Sequence, residues 1–365
     1  MIIKASELNS EVDFVPTIVF AFYCEEKRGD FVQTAEVLKE RFGEIPLVAC
    51  SSSGNSIASA PYRTDETVLC LMDLERGAFS FYFTDDQQCQ IGPLSELEAE
   101  RRDALLFYAG SGSWIQEGLR GVQEQLSGGT LLGAISGGFK GSERGSIYHE
   151  GSFYEEGIIG CLIDASKYEI KGAALHDFEP AGIDLFVTEA KGNEIIQIED
   201  EPAMSMIERI IGMITPKRLA MFDTPFFIKN FMKDERVECS LMSLQDIDRK
   251  RDRLYLFHDI QAGATLKVAI PISNRTMKRR LWKTQKRVRP AEKSGAVMFF
   301  LSSSSLPSHW HEMEVLYMMN IIDQIDIPFM GLHTSGEIAP LADEEHSILR
   351  DQTLTVITIS ERSFR

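Results

Sequence analysis

The chain has 365 residues, 44% hydrophobic and 25% charged, with a formal net charge of −17 and a pI near 4.9. That length exceeds what one core usually supports, so two domains are expected, and the acidity argues against nucleic acid or an anionic membrane surface as a general partner. No apolar run approaches the roughly 18 residues of a membrane-spanning helix, no secretory signal pattern opens the chain, and the six scattered cysteines, without a Cys-x-x-Cys pair, read as reduced core residues. A cytoplasmic protein without membrane insertion is expected.

Residues 17–23 read as a strand, and Phe31, Ala35, Leu38 and Phe42 follow at helical spacing. A second strand, 47–50, ends in Ser51-Ser52-Ser53-Gly54. This is a βαβ unit, so the two strands are expected to lie parallel. Residues 67–72 and 78–83, joined by Glu75-Arg76-Gly77, read as a hairpin at the sheet edge. The order then repeats. Residues 104–108 form a strand, Ile115, Leu119, Val122 and Leu126 mark a helix face, 131–135 return and exit through Ser136-Gly137-Gly138, and 157–163 close the unit. Near the C-terminus a third copy runs through 296–301, a helix face of Val315, Met318, Met319 and Ile322, a return strand at 328–332 and a closing strand at 353–359. The three copies read as internal duplication.

Between the second and third copies, 184–188 and 194–198 flank Ala190-Lys191-Gly192-Asn193 as a hairpin, and Pro202 precedes a helix carrying Met206, Ile210 and Ile211. Residues 254–257 and 266–270 read as strands and 275–288 as a helix. Residues 275–293 hold nine Lys or Arg against one acid, Glu292, a local charge of +8 that leaves about −25 on the rest. This segment reads as a solvated helix face, with docking onto an acidic partner or onto the other half of the chain as the second reading. The fold class is therefore α/β, with mixed sheets built from repeated βαβ-plus-strand units in two closely packed domains, 1–180 and 181–365.

Ligands of α/β sheets settle outside the carboxyl ends of parallel strands. The candidate ligand-binding residues are thus Ser51, Ser52, Ser53, Gly54, Asn55, Ser111, Ser136, Gly137, Gly138, Ser303, His333, Ser335, Gly336 and Glu337. Serine hydroxyls and glycine amides suit a carboxylate, and Glu337 suits an ammonium group. The plainer reading of the same residues is tight turns after buried strands. A hydrolase or transferase using Glu337 and His333 is the enzymatic alternative, but no Gly-x-Ser-x-Gly elbow, dinucleotide fingerprint or phosphate loop supports catalysis, so no enzyme is expected. His309-Trp310-His311, with Glu312 and Glu314, has the residue types of a metal or haem ligand, although residues two apart at a helix start diverge and read more simply as exposed polar groups. No metal or cofactor is expected, haem being the alternative.

Gly331-Leu332-His333-Thr334-Ser335-Gly336-Glu337-Ile338-Ala339-Pro340, followed by Asp351-Gln352-Thr353-Leu354-Thr355-Val356, resembles the end of a FIST C domain, and 187–196 running into Pro202-Ala203 resembles its start. Residues 48–54 and 132–138 are similar to the two glycine-containing exits of FIST N, so 1–180 is expected to be FIST N-like and 181–365 FIST C-like. The resemblance implies a sensory module of signal transduction that binds a small ligand, an amino acid or related carboxylate, and reports it to a separate protein of kinase, cyclase or chemoreceptor type. Some members are haem-containing nitric-oxide sensors. The chain departs from the family pattern at Leu332-His333-Thr334-Ser335, where aromatics are usual, at the four serines 302–305, and at Glu201, where glycine is expected.

Overall fold

Three times the chain folds in the same way. The computed structural model describes all residues except 9–11, 58–59, 86–96, 98, 111–112, 127, 139–144, 215–224, 232–236, 257–258, 291–294, 302–315, 318, 322–326, 345 and 363–365. In the first unit the opening strand Ile18–Cys24 runs parallel to the return strand Leu47–Ser52 after the helix Arg28–Phe42, and the closing strand Val68–Met72 lies antiparallel on the other side of the opening strand. Arg102–Ala109, Leu131–Ile135 and Gly157–Asp164 repeat this around the helix Ser113–Gln125. Gly295–Leu301, Phe329–His333 and Leu354–Glu361 repeat it again. These strands are buried along nearly their whole length, which is why they read as continuous apolar runs. Of the helix face expected in the third unit, Val315, Met318 and Ile322 lie outside the described residues, while Met319 packs against the core.

The registers make the units superimposable residue by residue. Phe22 stands opposite Cys50 and Val68, Phe107 opposite Ala134 and Ile159, and Phe300 opposite Leu332 and Thr355. These three equivalent phenylalanines meet in one core, Phe22 edge-on to Phe107 at 5.2 Å and Phe107 edge-on to Phe300 at 5.6 Å between ring centroids. Edge-to-face contact suits the ring quadrupoles and adds to the stabilisation from burying each ring. Cys24, Cys50, Cys70 and Cys161 are free and buried, and burial pushes the Cys70 thiol up to about 11, where it stays protonated.

The sheet of each unit has six strands among the described residues, and two further pieces complete it. A leading strand pairs antiparallel with the closing strand: Ile2–Lys4 in the first sheet, Phe79–Thr84 in the second and Tyr168–Leu175 in the third. The strand at 79–84 is therefore not the partner of 68–72 in an edge hairpin. It opens the second unit, with Ile163 opposite Phe79 and Ile158 opposite Thr84. Local alternation marks a strand but does not name its partner.

The second piece is a hairpin exchanged between units. After the first return strand the chain forms Asn55–Ile57 and Ala60–Thr64, which pair onto the return strand of the third unit. Ile147–His149 and Ser152–Tyr154, after the second, pair onto the return strand of the first. Gly336–Ala339 and Ile348–Arg350, after the third, pair onto the return strand of the second. The exchange is cyclic, and strand pairing crosses residue 180 in the second and third sheets.

An eight-stranded sheet made from residues 178–271 is inserted between the leading and opening strands of the third unit. Its core is covered by the helix Ala203–Ile214 through Met206, Ile207, Ile210 and Ile211. The predicted hairpin is present, with Lys191 opposite Glu194 and Gly192 in the left-handed region at φ 59°. The helix Asn274–Val288 leads back to the third unit. Ser273 caps it by accepting the Thr276 amide, and Met277, Leu281, Thr284 and Val288 form its buried face. No helix among the described residues is long and apolar enough to cross a membrane.

Candidate functional site

The three return-strand exits come together at one junction. Superposition of the units makes Ser51, Ile135 and His333 equivalent, and likewise Ser53, Gly137 and Ser335. The amide of Ser53 donates to the His333 carbonyl at 3.0 Å, that of Ser335 to the Ile135 carbonyl at 3.1 Å, and that of Gly137 to the Ser51 carbonyl at 3.0 Å. These equivalent hydrogen bonds form a closed ring that ties each unit to the next. At Gly137 a Cβ would stand 2.3 Å from the His333 carbonyl oxygen and 2.8 Å from the Ser53 nitrogen, so the ring closes there only around glycine.

Of the fourteen residues expected at the site, Ser51, Ser52, Ser53, Gly54, Asn55, Ser136, Gly137, Gly138, His333, Ser335, Gly336 and Glu337 are brought together here. Ser111, Ser303, His309 and His311 lie outside the described residues. The junction is packed, with Ser335 alone among the twelve partly exposed. Most of its polar groups serve the fold. Ser51 Oγ donates to the Gly137 carbonyl at 2.9 Å and accepts the Ser146 amide at 2.8 Å. Ser52 Oγ donates to Asn55 Oδ1 at 2.6 Å, and Asn55 Nδ2 donates to the carbonyls of Phe22 and Glu66 at 3.0 and 2.8 Å. Glu337, 0% exposed, accepts hydroxyl bonds from Thr334, at 2.8 Å, and from Thr353. Ser136 Oγ differs: it is buried and makes no hydrogen bond among the described residues. The residue equivalent to Asn55 and Glu337 in its unit is Ile147, which offers a hydroxyl nothing to bind.

A second polar chain starts at Ser146. Its hydroxyl donates to Glu25 Oε2 at 2.9 Å and lies 2.8 Å from the Tyr23 hydroxyl, and Glu25 is paired with Arg28. Arg28 also lies over the Phe153 ring at 5.2 Å and 3.6 Å from Glu155. Burial pushes the Tyr23 hydroxyl well above its ordinary value, so it stays protonated and able to donate. Reading the sequence missed this group because Ser146, Tyr23 and Glu25 are brought together only by the exchanged hairpin.

The same hairpin walls a groove of about 890 Å³ at the opposite end of the first return strand. Val32, Leu38 and Ile45 line one side, Phe81, Tyr148 and His149 another, and Glu36, Lys39, Glu44 and Glu150 bring both signs of charge. The His149 ring is stacked on Phe83 at 4.0 Å and Phe81 at 5.4 Å, and burial holds its imidazole below the ordinary value, in the neutral form. The volume lies within the range of small-molecule sites. None of the fourteen expected residues lines the groove.

Residues 17–201, half of the chain, match the FIST N domain family. The chain belongs to the FIST family. A FIST domain is a sensory, ligand-binding module of signalling proteins. The matched span ends within the inserted sheet and covers both exits at 51–54 and 136–138. A comparison with curated proteins found no match. No cluster of three or more His, Cys, Asp or Glu among the described residues is arranged to hold a metal ion.

Proposed function

We propose that this FIST protein senses a small zwitterion, an amino acid or related carboxylate, and reports it to a separate signalling protein. What supports the reading is the 890 Å³ groove, lined by apolar and aromatic side chains together with Glu36, Glu150 and the Lys39–Glu44 ion pair at 2.6 Å, which a bound zwitterion would open, its carboxylate taking the Lys39 ammonium and its ammonium a carboxylate of the lining. The groove is coupled to the junction by the hairpin. Tyr148 and His149 lie on the strand that begins one residue after Ser146, and Ser146 binds both Ser51 in the ring and Glu25 beside Arg28. A ligand that shifts the hairpin thereby acts on the contact joining the first and second units.

A second reading seats the ligand at the junction itself, and it is favoured by the buried Ser136 hydroxyl, which makes no hydrogen bond among the described residues. Glu337 and His333 are given no catalytic part, because Glu337 is buried and holds two threonine hydroxyls. Thermal melting against a panel of amino acids and dicarboxylates tests both readings, since a ligand bound only by the folded state raises its stability. The groove reading expects the shift to vanish in His149→Ala and Lys39→Ala and to survive Ser136→Ala. The junction reading expects the reverse. No shift with any panel member at millimolar concentration refutes both.

A further inference from the structure

The helix Asn274–Val288 divides its cations between two jobs. On one flank Arg280 donates to the carbonyls of His176 and Phe178 at 2.8 and 2.9 Å, Lys283 pairs with Asp343 at 3.1 Å, and Arg287 donates to the carbonyls of Leu341 and Glu344. These groups fasten the helix to the third unit beside its buried face. At about 100° per residue, Arg275, Lys278, Arg279, Trp282 and Lys286 fall together on the opposite side. All five are exposed, and among the described residues none of the four cations is in an ion pair. Trp282 stands at the centre of the stripe, 60% exposed, with the Lys286 ammonium 5.5 Å from its ring centroid.

An exposed tryptophan ringed by unpaired cations, on a chain with a net charge of −17, has no role in the packing described above. Arg and Trp are the residue types that dominate binding energy at protein interfaces. We propose that this stripe is a docking surface for a short acidic segment of a partner protein, one bearing an apolar side chain that covers Trp282. The proposal is independent of where the small ligand binds.

Charge and length select this occupant. A helix of 15 residues is about 22 Å long, which matches a short acidic helix or strand. Duplex DNA carries a charge every ~1.7 Å along an extended rod, and a membrane is a plane. Either would extend past a stripe of this length onto the rest of a chain of net charge −17, beginning with Asp343, which pairs with Lys283 one turn from Arg279. A short segment escapes that repulsion, because charges beyond ~8–10 Å are screened at ordinary salt.

The experiment uses the full chain and a fluorescein-labelled peptide of about 16 residues, rich in glutamate with one central phenylalanine, which is about 24 Å long as a helix. Anisotropy titrations are run beside a glutamine-for-glutamate version of the peptide, a short DNA duplex and phosphatidylserine vesicles, with sedimentation of the protein alone. The expected result is saturable binding of the acidic peptide and a blue shift of tryptophan emission that Trp282→Phe abolishes. Binding should weaken about tenfold or more in the combined variant Lys278→Glu, Arg279→Glu, Lys286→Glu, and in Trp282→Ala, with the melting temperature unchanged. Lys250→Glu, an exposed charge reversal in the inserted sheet, should bind as the parent does. The proposal is overturned if the acidic peptide does not bind, if the stripe variants bind it equally, if duplex or vesicles bind more tightly, or if the stripe variants abolish a self-association that leaves no free face.

Discussion

Asn55 and Glu337 hold the same position in two different units, each on the exchanged hairpin strand and opposite the equivalent residues of neighbouring sheets. Ser52 Oγ donates to Asn55 Oδ1 and Thr334 Oγ1 to Glu337 Oε1, the same bond across the same three-residue gap. Beyond it the two differ in sign of hydrogen bonding. The amide of Asn55 donates to the Glu66 carbonyl, whereas Glu337 accepts from the hydroxyl of Thr353, the residue equivalent to Glu66. The carboxylate thus replaces an amide in a structural bridge between exit and closing strand.

The bridge can be tested by substitution. Asn55→Leu removes the donor to the buried Phe22 carbonyl and the partly buried Glu66 carbonyl and the acceptor of the Ser52 hydroxyl, and should cost about 2–4 kcal/mol. Glu337→Leu should cost a similar amount. Glu337→Gln keeps an oxygen for Thr334 and presents an N–H to Thr353 Oγ1, so its cost should stay within about 1 kcal/mol. Urea unfolding midpoints measure all three. A Gln variant as unstable as the Leu variant would mean that the negative charge itself is required.

Two buried groups set opposing pH dependences. Asp351 accepts the amides of Ser243 and Gln352 at 3.1 and 2.7 Å, yet burial raises its pKa from 3.8 to about 7. The folded protein keeps this proton where the unfolded chain has lost it, so its contribution to stability falls as pH rises through that interval. His176 is held neutral by burial and by Arg280 and Arg350, its pKa lowered from 6.5 to about 3. The unfolded chain takes up that proton first, so stability falls as pH drops below 6.5. Each proton contributes a slope of about 1.4 kcal/mol per pH unit, with opposite signs, and between about pH 4 and 6.5 the two nearly cancel. Asp351→Asn should therefore make stability rise with pH across that window, and His176→Gln should make it fall. Urea melts at three pH values check this, and unchanged slopes in both variants would contradict it.

The cyclic exchange predicts how the chain folds. A fragment ending at residue 180 contains the first two units, but the hairpin at 55–64 loses the return strand it pairs with, and the return strand at 131–135 loses the hairpin at 336–350. Phe107 also loses Phe300 from its face. The fragment should lack a cooperative thermal transition and bind a hydrophobic dye, while the full chain melts with the three units together. A sharp transition in the fragment would show that the exchanged hairpins are dispensable.

The strands of the three units and the helices of the first two were legible in the sequence because their apolar runs and helical spacings are local and strong, and the repetition of their order was itself a signal. The exits at 51–54, 136–138 and 333–337 were legible for the same reason, since glycine and small polar residues end buried strands. The hairpins that follow the exits were not. Asn55–Ile57 and Ile147–His149 are three residues each, too short for periodicity, and their stability comes from return strands far away in sequence.

By itself the sequence determined three α/β units, parallel pairing of each opening and return strand, and a basic helix on an acidic chain. Only the tertiary structure decided that the exits close on one another through Ser53, Ser335 and Gly137, that Glu337 is the counterpart of Asn55, and that the groove lies at the other end of the first return strand. These depend on which hairpin pairs with which sheet. That choice is made by long-range registers and the shared core of Phe22, Phe107 and Phe300, for which no local pattern exists.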